Sequence, residues 1–292
     1  MRCGGALGKL RAELHPNDLP PLLDRLASVS QSDSVQALQR PEVVFFDVGD
    51  TLIRAHPSWA AVYREGLLEV GIDVSEKDLE RALLEETQAD PWWLSEEPFE
   101  ATEENSYARI VEFDSAVLRR VGHGDLHDDA FRRIEDAFAR QSAWYVFPDV
   151  MPALDALRAA GFRMGVISNF VWGGPELIHA LDLAQHFDSL TVSARVGFQK
   201  PHQGIFQHAL DSLGVEPERA WHIGDSYKAD IVGARRMGIT AVLVDRTDGD
   251  PALVRDKHED PDLPVVRDLY GLLDHLGVAR PTLTPEPATS PA

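Results

Sequence analysis

Residues 43–46, Val-Val-Phe-Phe, are four consecutive apolar positions followed by the turn Asp47-Val48-Gly49-Asp50-Thr51. A run this short and uniformly apolar fits a strand covered on both faces of a parallel sheet; a half-exposed strand would alternate. Ligands of such sheets bind beyond the carboxyl ends of the strands, so the pattern predicts Asp47 at the edge where ligands bind. Behind the turn the period changes. Trp59, Val62, Tyr63 and Leu67 fall at i, i+3, i+4 and i+8 and make one apolar helical face, with Pro57 suited to its first turn. Ser75-x-x-Asp78 predicts a capped helix over residues 75–86. Ile110, Phe113 and Val117 stripe a third helix, and Phe131, Ile134 and Phe138 a fourth. From residue 150 onward helices over 150–160, 175–183, 202–213 and 227–237 alternate with strands over 162–168, 189–193 and 240–244 and one ending at Gly224, with a last helix over 268–276. That alternation predicts a doubly wound α/β sheet into which a small helical bundle is inserted.

Composition limits the partners. The 292 residues, 44% of them hydrophobic, can bury one large core or two modest ones, and the pattern favours two. An α/β core spans 41–54 and 146–280, a helical insertion 55–145, an N-terminal extension 1–40 without an assigned role, and a proline-rich disordered tail 281–292. Within the extension, residues 19–26 have the character of a short helix. Lys and Arg number 28 against 48 Asp and Glu, a formal net charge of -20 that weighs against nucleic-acid and anionic-membrane partners and also serves solubility. Cys3 is the single cysteine, which leaves neither an intramolecular disulfide nor a thiolate metal site. No apolar run reaches the roughly 20 residues of a membrane helix, and residues 1–40 lack the apolar core of a signal peptide. A cytoplasmic protein is expected.

Asp47-x-x-x-Thr51-Leu52 after an apolar strand resembles the first motif of the haloacid dehalogenase superfamily, whose leading aspartate is a covalent nucleophile. The family's second motif, an apolar strand ending in Ser or Thr, is similar to Met164-Gly-Val-Ile-Ser168-Asn169. Its third, a lysine before proline and a helix, is similar to Lys200-Pro201 followed by Gly204-Ile205-Phe206. Its fourth, an acidic pair after an apolar strand, is similar to Trp221-His-Ile-Gly224-Asp225 with Asp230 five positions on.

The resemblance implies a mainly parallel, Rossmann-like α/β core with a helical cap over the site. It further implies hydrolysis of small phosphate esters through an aspartyl-phosphate. Attack by Asp47 on a phosphate dianion requires a cation, and the family's magnesium ligands map to Asp47, the Gly49 carbonyl and Asp225. Asp230 then holds a metal-bound water or orients Lys200. Thr51 fixes the turn, and Ser168, Asn169 and Lys200 surround the transferring phosphoryl group.

One position departs from the family. Its phosphatases carry a second aspartate two residues after the nucleophile as general acid and base, where this chain has Gly49, while Asp50 occupies the next place, usually glycine. Asp50 is therefore an alternative proton-transfer group. A 2-haloacid dehalogenase needs no carboxylate there, but family dehalogenases have tyrosine at that position and lack the acidic pair. A third reading is a catalytically weak homologue that binds a phosphorylated ligand or a protein partner. Trp92 and Trp93 are candidates for a lid wall, and Arg54 and His56 for substrate contacts.

Overall fold

The computed structural model describes residues 40–89, 92–124, 126–247 and 260–282. The expectations for Cys3, for a helix over 19–26 and for the tail beyond residue 282 fall outside that range.

The described residues open with β1 (Val43–Phe46) and, after the Asp47 turn, β2 (Ile53–Ala55). Four helices follow: α1 (Trp59–Glu69), α2 (Glu76–Ala89), α3 (Glu103–Arg120) and α4 (Asp128–Ala139). The return strand β3 (Trp144–Val146) pairs antiparallel with β2, so a two-stranded ribbon forms the stalk of the insertion. The chain then winds through α5 (Val150–Ala159), β4 (Arg163–Ser168), α6 (Gly174–Ala180), β5 (Ser189–Val192), α7 (Ser193–Val196), α8 (Gln203–Leu213) and β6 (Ala220–Gly224). A π-helical turn (Tyr227–Val232), α9 (Gly233–Arg236), β7 (Thr240–Val244), β8 (Val265–Val266) and α10 (Leu269–His275) complete it.

β1 lies inside a six-stranded parallel sheet of order β5-β4-β1-β6-β7-β8. Its side chains feed two layers: Val44 and Phe46 pack with Leu154, Leu157 and Leu272, while Val43 and Phe45 pack with Ile205, Phe206 and Ala209. That two-sided burial is why the strand carries no polar position. The helical insertion has an apolar cluster of its own, Ala60, Tyr63, Leu67, Leu79, Leu118, Phe131 and Ile134. Side-chain caps set its helix starts, with Ser58 accepting from the Ala61 amide and Thr102 from the Asn105 amide. Among the described residues no helix is long and apolar enough to cross a membrane.

Several elements differ from the pattern reading. Pro57 precedes the Ser58 cap instead of occupying the first turn of α1. Ile110 and Phe113 are only half-buried, and the inward face of α3 runs through Ser106, Asp114, Val117 and Leu118. A polar pair sets that rotation: the buried Tyr63 hydroxyl donates to Asp114 Oδ1 at 2.5 Å. The helix expected over 227–237 opens as a π-helical turn, and that wider turn carries Asp230 back toward β6.

Candidate active site

Asp47 directly follows β1 and its amide continues the ladder, donating to Ile223 O at 2.8 Å. Ser168 ends β4, Asp225 follows β6, Lys200 lies in the loop before α8, and Asp230 lies in the π-helical turn. The central strands thus deliver these residues to one sheet edge. Asp47 Oδ1 accepts from Ser168 Oγ at 3.0 Å and from Lys200 Nζ at 2.5 Å. The same ammonium donates to Asp230 Oδ1 at 2.6 Å and to Ile167 O at 2.9 Å, which uses all three of its hydrogens. Thr51 Oγ1 stands 3.5 Å from Asp47 Oδ2, at the outer limit of a hydrogen bond.

Burial makes these contacts electrostatically strong, since Asp47 is 6%, Lys200 2% and Asp230 1% exposed. Burial pushes the Asp47 carboxyl above its ordinary value, Lys200 opposes that, and the charge of Asp230 adds to it. For Asp230 burial acts upward too, but Lys200 and His222 outweigh it and hold the group well below the carboxylate range. Burial depresses Lys200, yet Asp230 and Asp47 together keep it above an ordinary lysine, so it is a cation here.

His222 was not among the expected site residues. Its Nε2 lies 2.8 Å from Asp230 Oδ1, and an ionised carboxylate only accepts, so Nε2 carries the proton. The Ser226 amide donates to Asp230 Oδ2 at 3.0 Å. The signal available was one polar residue within the apolar strand Ala220–Gly224. Gly224 is required by the same packing: a Cβ there would lie 2.2 Å from Asp230 Cγ.

Ligand oxygens of Asp47, Asp225 and Asp230 lie within 4.8 Å of one another. Three hard oxygen donors without nitrogen or sulfur fit magnesium or calcium. With Lys200, His222 and the Ser226 amide already on it, Asp230 is the most committed of the three. Asp50 is not in this group. It adopts a left-handed backbone, φ 54°, and its Oδ1 accepts from Arg54 Nε at 3.0 Å.

The remaining candidates separate. Arg54 is committed to Asp50, and His56 is exposed, its ring 6.2 Å from that of Tyr145. Trp93 enters through its backbone carbonyl, which accepts from Asn169 Nδ2 at 3.0 Å. Arg246 had no motif to mark it. Its guanidinium grips Asp149 with two 3.0 Å bonds, stacks 3.9 Å over Phe147 and donates to Thr51 O at 2.9 Å, fixing the motif-one turn from behind.

Comparisons with known proteins place the chain in a family. Residues 41–238 match the family model for haloacid dehalogenase-like hydrolases. Haloacid dehalogenase-like hydrolase domain-containing protein 3 of Bos taurus is 29% identical over 248 residues, covering 79% of this chain and 93% of that protein. Glyceraldehyde 3-phosphate phosphatase of Methanothermobacter thermautotrophicus is 31% identical over 214 residues, covering 70% of this chain and 85% of that protein. Among solved structures, the putative HAD-hydrolase YfnB of Bacillus subtilis, described as bound to magnesium, shares the fold with a TM-score of 0.66 at 20% identity, covering 82% of this chain and all of that one. With an apolar β1 presenting Asp47, and Ser168, Lys200, Asp225 and Asp230 gathered around it, this chain belongs to the haloacid dehalogenase-like hydrolases.

Proposed function

We propose that the chain hydrolyses small phosphate esters through a phospho-Asp47 intermediate, with magnesium as its cation. The observation that carries the reading is the pairing of Asp47 with a buried ammonium on one side and the carboxylates of Asp225 and Asp230 on the other. Displacement of halide from carbon needs no such cation site. A relative named as a glyceraldehyde 3-phosphate phosphatase points the same way. Asp47, Asp225 and the Gly49 carbonyl would hold the magnesium, which neutralises charge between the carboxylate and the phosphate dianion.

Asp47 attacks phosphorus, the bond from phosphorus to the ester oxygen breaks, and the departing alkoxide takes a proton from water. A second water attacks the phosphorus of phospho-Asp47, releasing phosphate and restoring the carboxylate. As charge passes from Asp47 to the phosphoryl oxygens, the N–H of Lys200 and the Ser168 hydroxyl that serve Asp47 Oδ1 follow it. Asp230 and Ile167 O keep the ammonium in place during that exchange. Both amide hydrogens of the Asn169 side chain are engaged, with Trp93 O and Lys200 O.

The test is a panel of phosphate esters and 2-haloacids, each with magnesium and with chelator, for wild type and Asp47→Asn. Phosphate release that requires both magnesium and Asp47 is expected. Halide release in chelator, with no phosphate from any ester, overturns the reading.

A further inference from the structure

The stretch from Trp93 to Arg109 ties the helical insertion to the loops of the α/β core that surround the site. Phe99 N donates to Gly197 O at 2.9 Å, Trp172 N to Ser106 Oγ at 3.1 Å, Arg109 Nη2 to Gln199 Oε1 at 3.0 Å, and Arg236 Nη1 to Glu96 Oε1 at 2.7 Å. The approach is close: a Cβ on Gly197 would lie 2.4 Å from Phe99 O. One further bond reaches the reacting groups. Asn169 donates one amide hydrogen to Trp93 O at 3.0 Å and the other to Lys200 O at 2.9 Å, and its Oδ1 accepts from Lys200 N at 2.7 Å.

We infer that Asn169 is a positioning residue that couples docking of the helical insertion to the placement of Lys200. Pairing with both the N–H and the C=O of Lys200 fixes the two peptide groups that flank its Cα, as a sheet ladder does. From that backbone the Lys200 side chain runs to Asp47, Asp230 and Ile167 O, and one amide group with three hydrogen bonds joins this network to the Trp93 carbonyl. When the insertion lifts, the Trp93 carbonyl leaves and a half-buried N–H loses its acceptor. The favoured response is for the amide to turn, which loosens its grip on Lys200. Only the kinetic arm of the test below rests on the phosphate-ester reading.

Backbone hydrogen exchange, followed by mass spectrometry on the full chain, reads the coupling directly. Wild type is compared with Asn169→Ala and with Glu96→Ala/Ser106→Ala, a double variant on the insertion whose partners, Arg236 and Trp172, lie outside 197–202. In Asn169→Ala, peptides covering 92–100 and 197–202 should both exchange roughly tenfold faster, while those of β1 and β6 keep their protection. In the double variant, 197–202 should loosen together with 92–100 although Asn169 is present. If 92–100 loosens there and 197–202 does not, docking and Lys200 are independent and the inference fails. For a chain that hydrolyses phosphate esters, kcat of Asn169→Ala should fall about tenfold or more with KM within about twofold of wild type. An unchanged kcat overturns the positioning role. A wild type without esterase activity refutes the proposed function alone, since the exchange arm still decides the coupling.

Discussion

A Cβ built on Gly49 would meet nothing within 4 Å, and the residue is not among those with positive φ. Neither backbone strain nor crowding at the Cβ demands glycine two positions after Asp47. Gly49→Asp should therefore raise turnover of alkyl phosphates, whose leaving groups need protonation, by part of the roughly 10²- to 10⁴-fold that general acid and base catalysis supplies. Aryl phosphates should gain less. Asp50→Asn should leave the wild-type rate nearly unchanged, because that carboxylate is paired with Arg54 and stands apart from the acidic group. Steady-state kinetics on both ester classes checks the pair, and a steep loss in Asp50→Asn makes Asp50 the proton carrier instead. At this scale the sequence was informative about position wherever a residue directly ends or follows a strand, as for Asp47, Ser168 and Asp225. Arg246 stayed hidden because its partners are contributed by distant chain segments, Thr51 lying 195 positions away, and His222 because nothing in its apolar strand announces that the next turn brings Asp230 back onto it.

In the helical insertion, Asp114 lies inward on α3 with the Tyr63 hydroxyl on its carboxylate. Burial raises its pKa from 3.8 to about 7, against a smaller downward pull from the Tyr63 hydrogen bond. A carboxyl with a raised folded pKa binds its proton in the native state at pH values where the unfolded chain has released it. Stability therefore falls as pH rises from about 4 to about 7, by on the order of 4 kcal/mol, and stays lower above. Asp114→Asn should flatten that slope and stabilise the insertion at pH 8, visible as a higher denaturant midpoint there and little change at pH 5. Equal midpoint gains at both pH values would show that the proton on Asp114 is not the cause. Apolar periodicity located α3 correctly but not its rotation, since a stripe of Ile110, Phe113 and Val117 cannot announce that a tyrosine on another helix needs a buried acceptor.

Across the whole molecule, the alternation of strands and helices and the change of period after residue 52 were legible, because two-sided burial and amphipathic faces leave different apolar patterns. The ribbon β2–β3 and the short β8 were not, since two or three residues carry no period. Arg246 links these levels by joining the Asp47 turn, the return from the insertion at Asp149 and, through Asp149, the Leu269 amide of α10. Its side chain is 7% exposed and that of Asp149 8%. Arg246→Ala leaves a buried, unpaired carboxylate and should cost about 3–5 kcal/mol, whereas Arg246→Met with Asp149→Leu should recover part of it. Chemical denaturation of the variants decides this, and a loss below about 1 kcal/mol in Arg246→Ala would place the pair among ordinary surface contacts.

The strand that carries Asp47 is made long before the strands that flank it. β1 emerges at residue 43, but its two neighbours are β4, beginning at Arg163, and β6, beginning at Ala220. Until β4 emerges a nascent chain holds four apolar residues with both edges open, and until β6 emerges with one, the kind of segment that chaperones bind and that aggregates when left alone. Ribosome-stalled chains of increasing length should thus remain protease-sensitive around Asp47 until β6 has cleared the exit tunnel, then gain resistance abruptly. Protection of that segment in chains ending before Trp221 would mean that β1 finds a stable partner earlier. In a cell, translation speed between the codons for Asp47 and Gly224 therefore governs how long Asp47 is exposed.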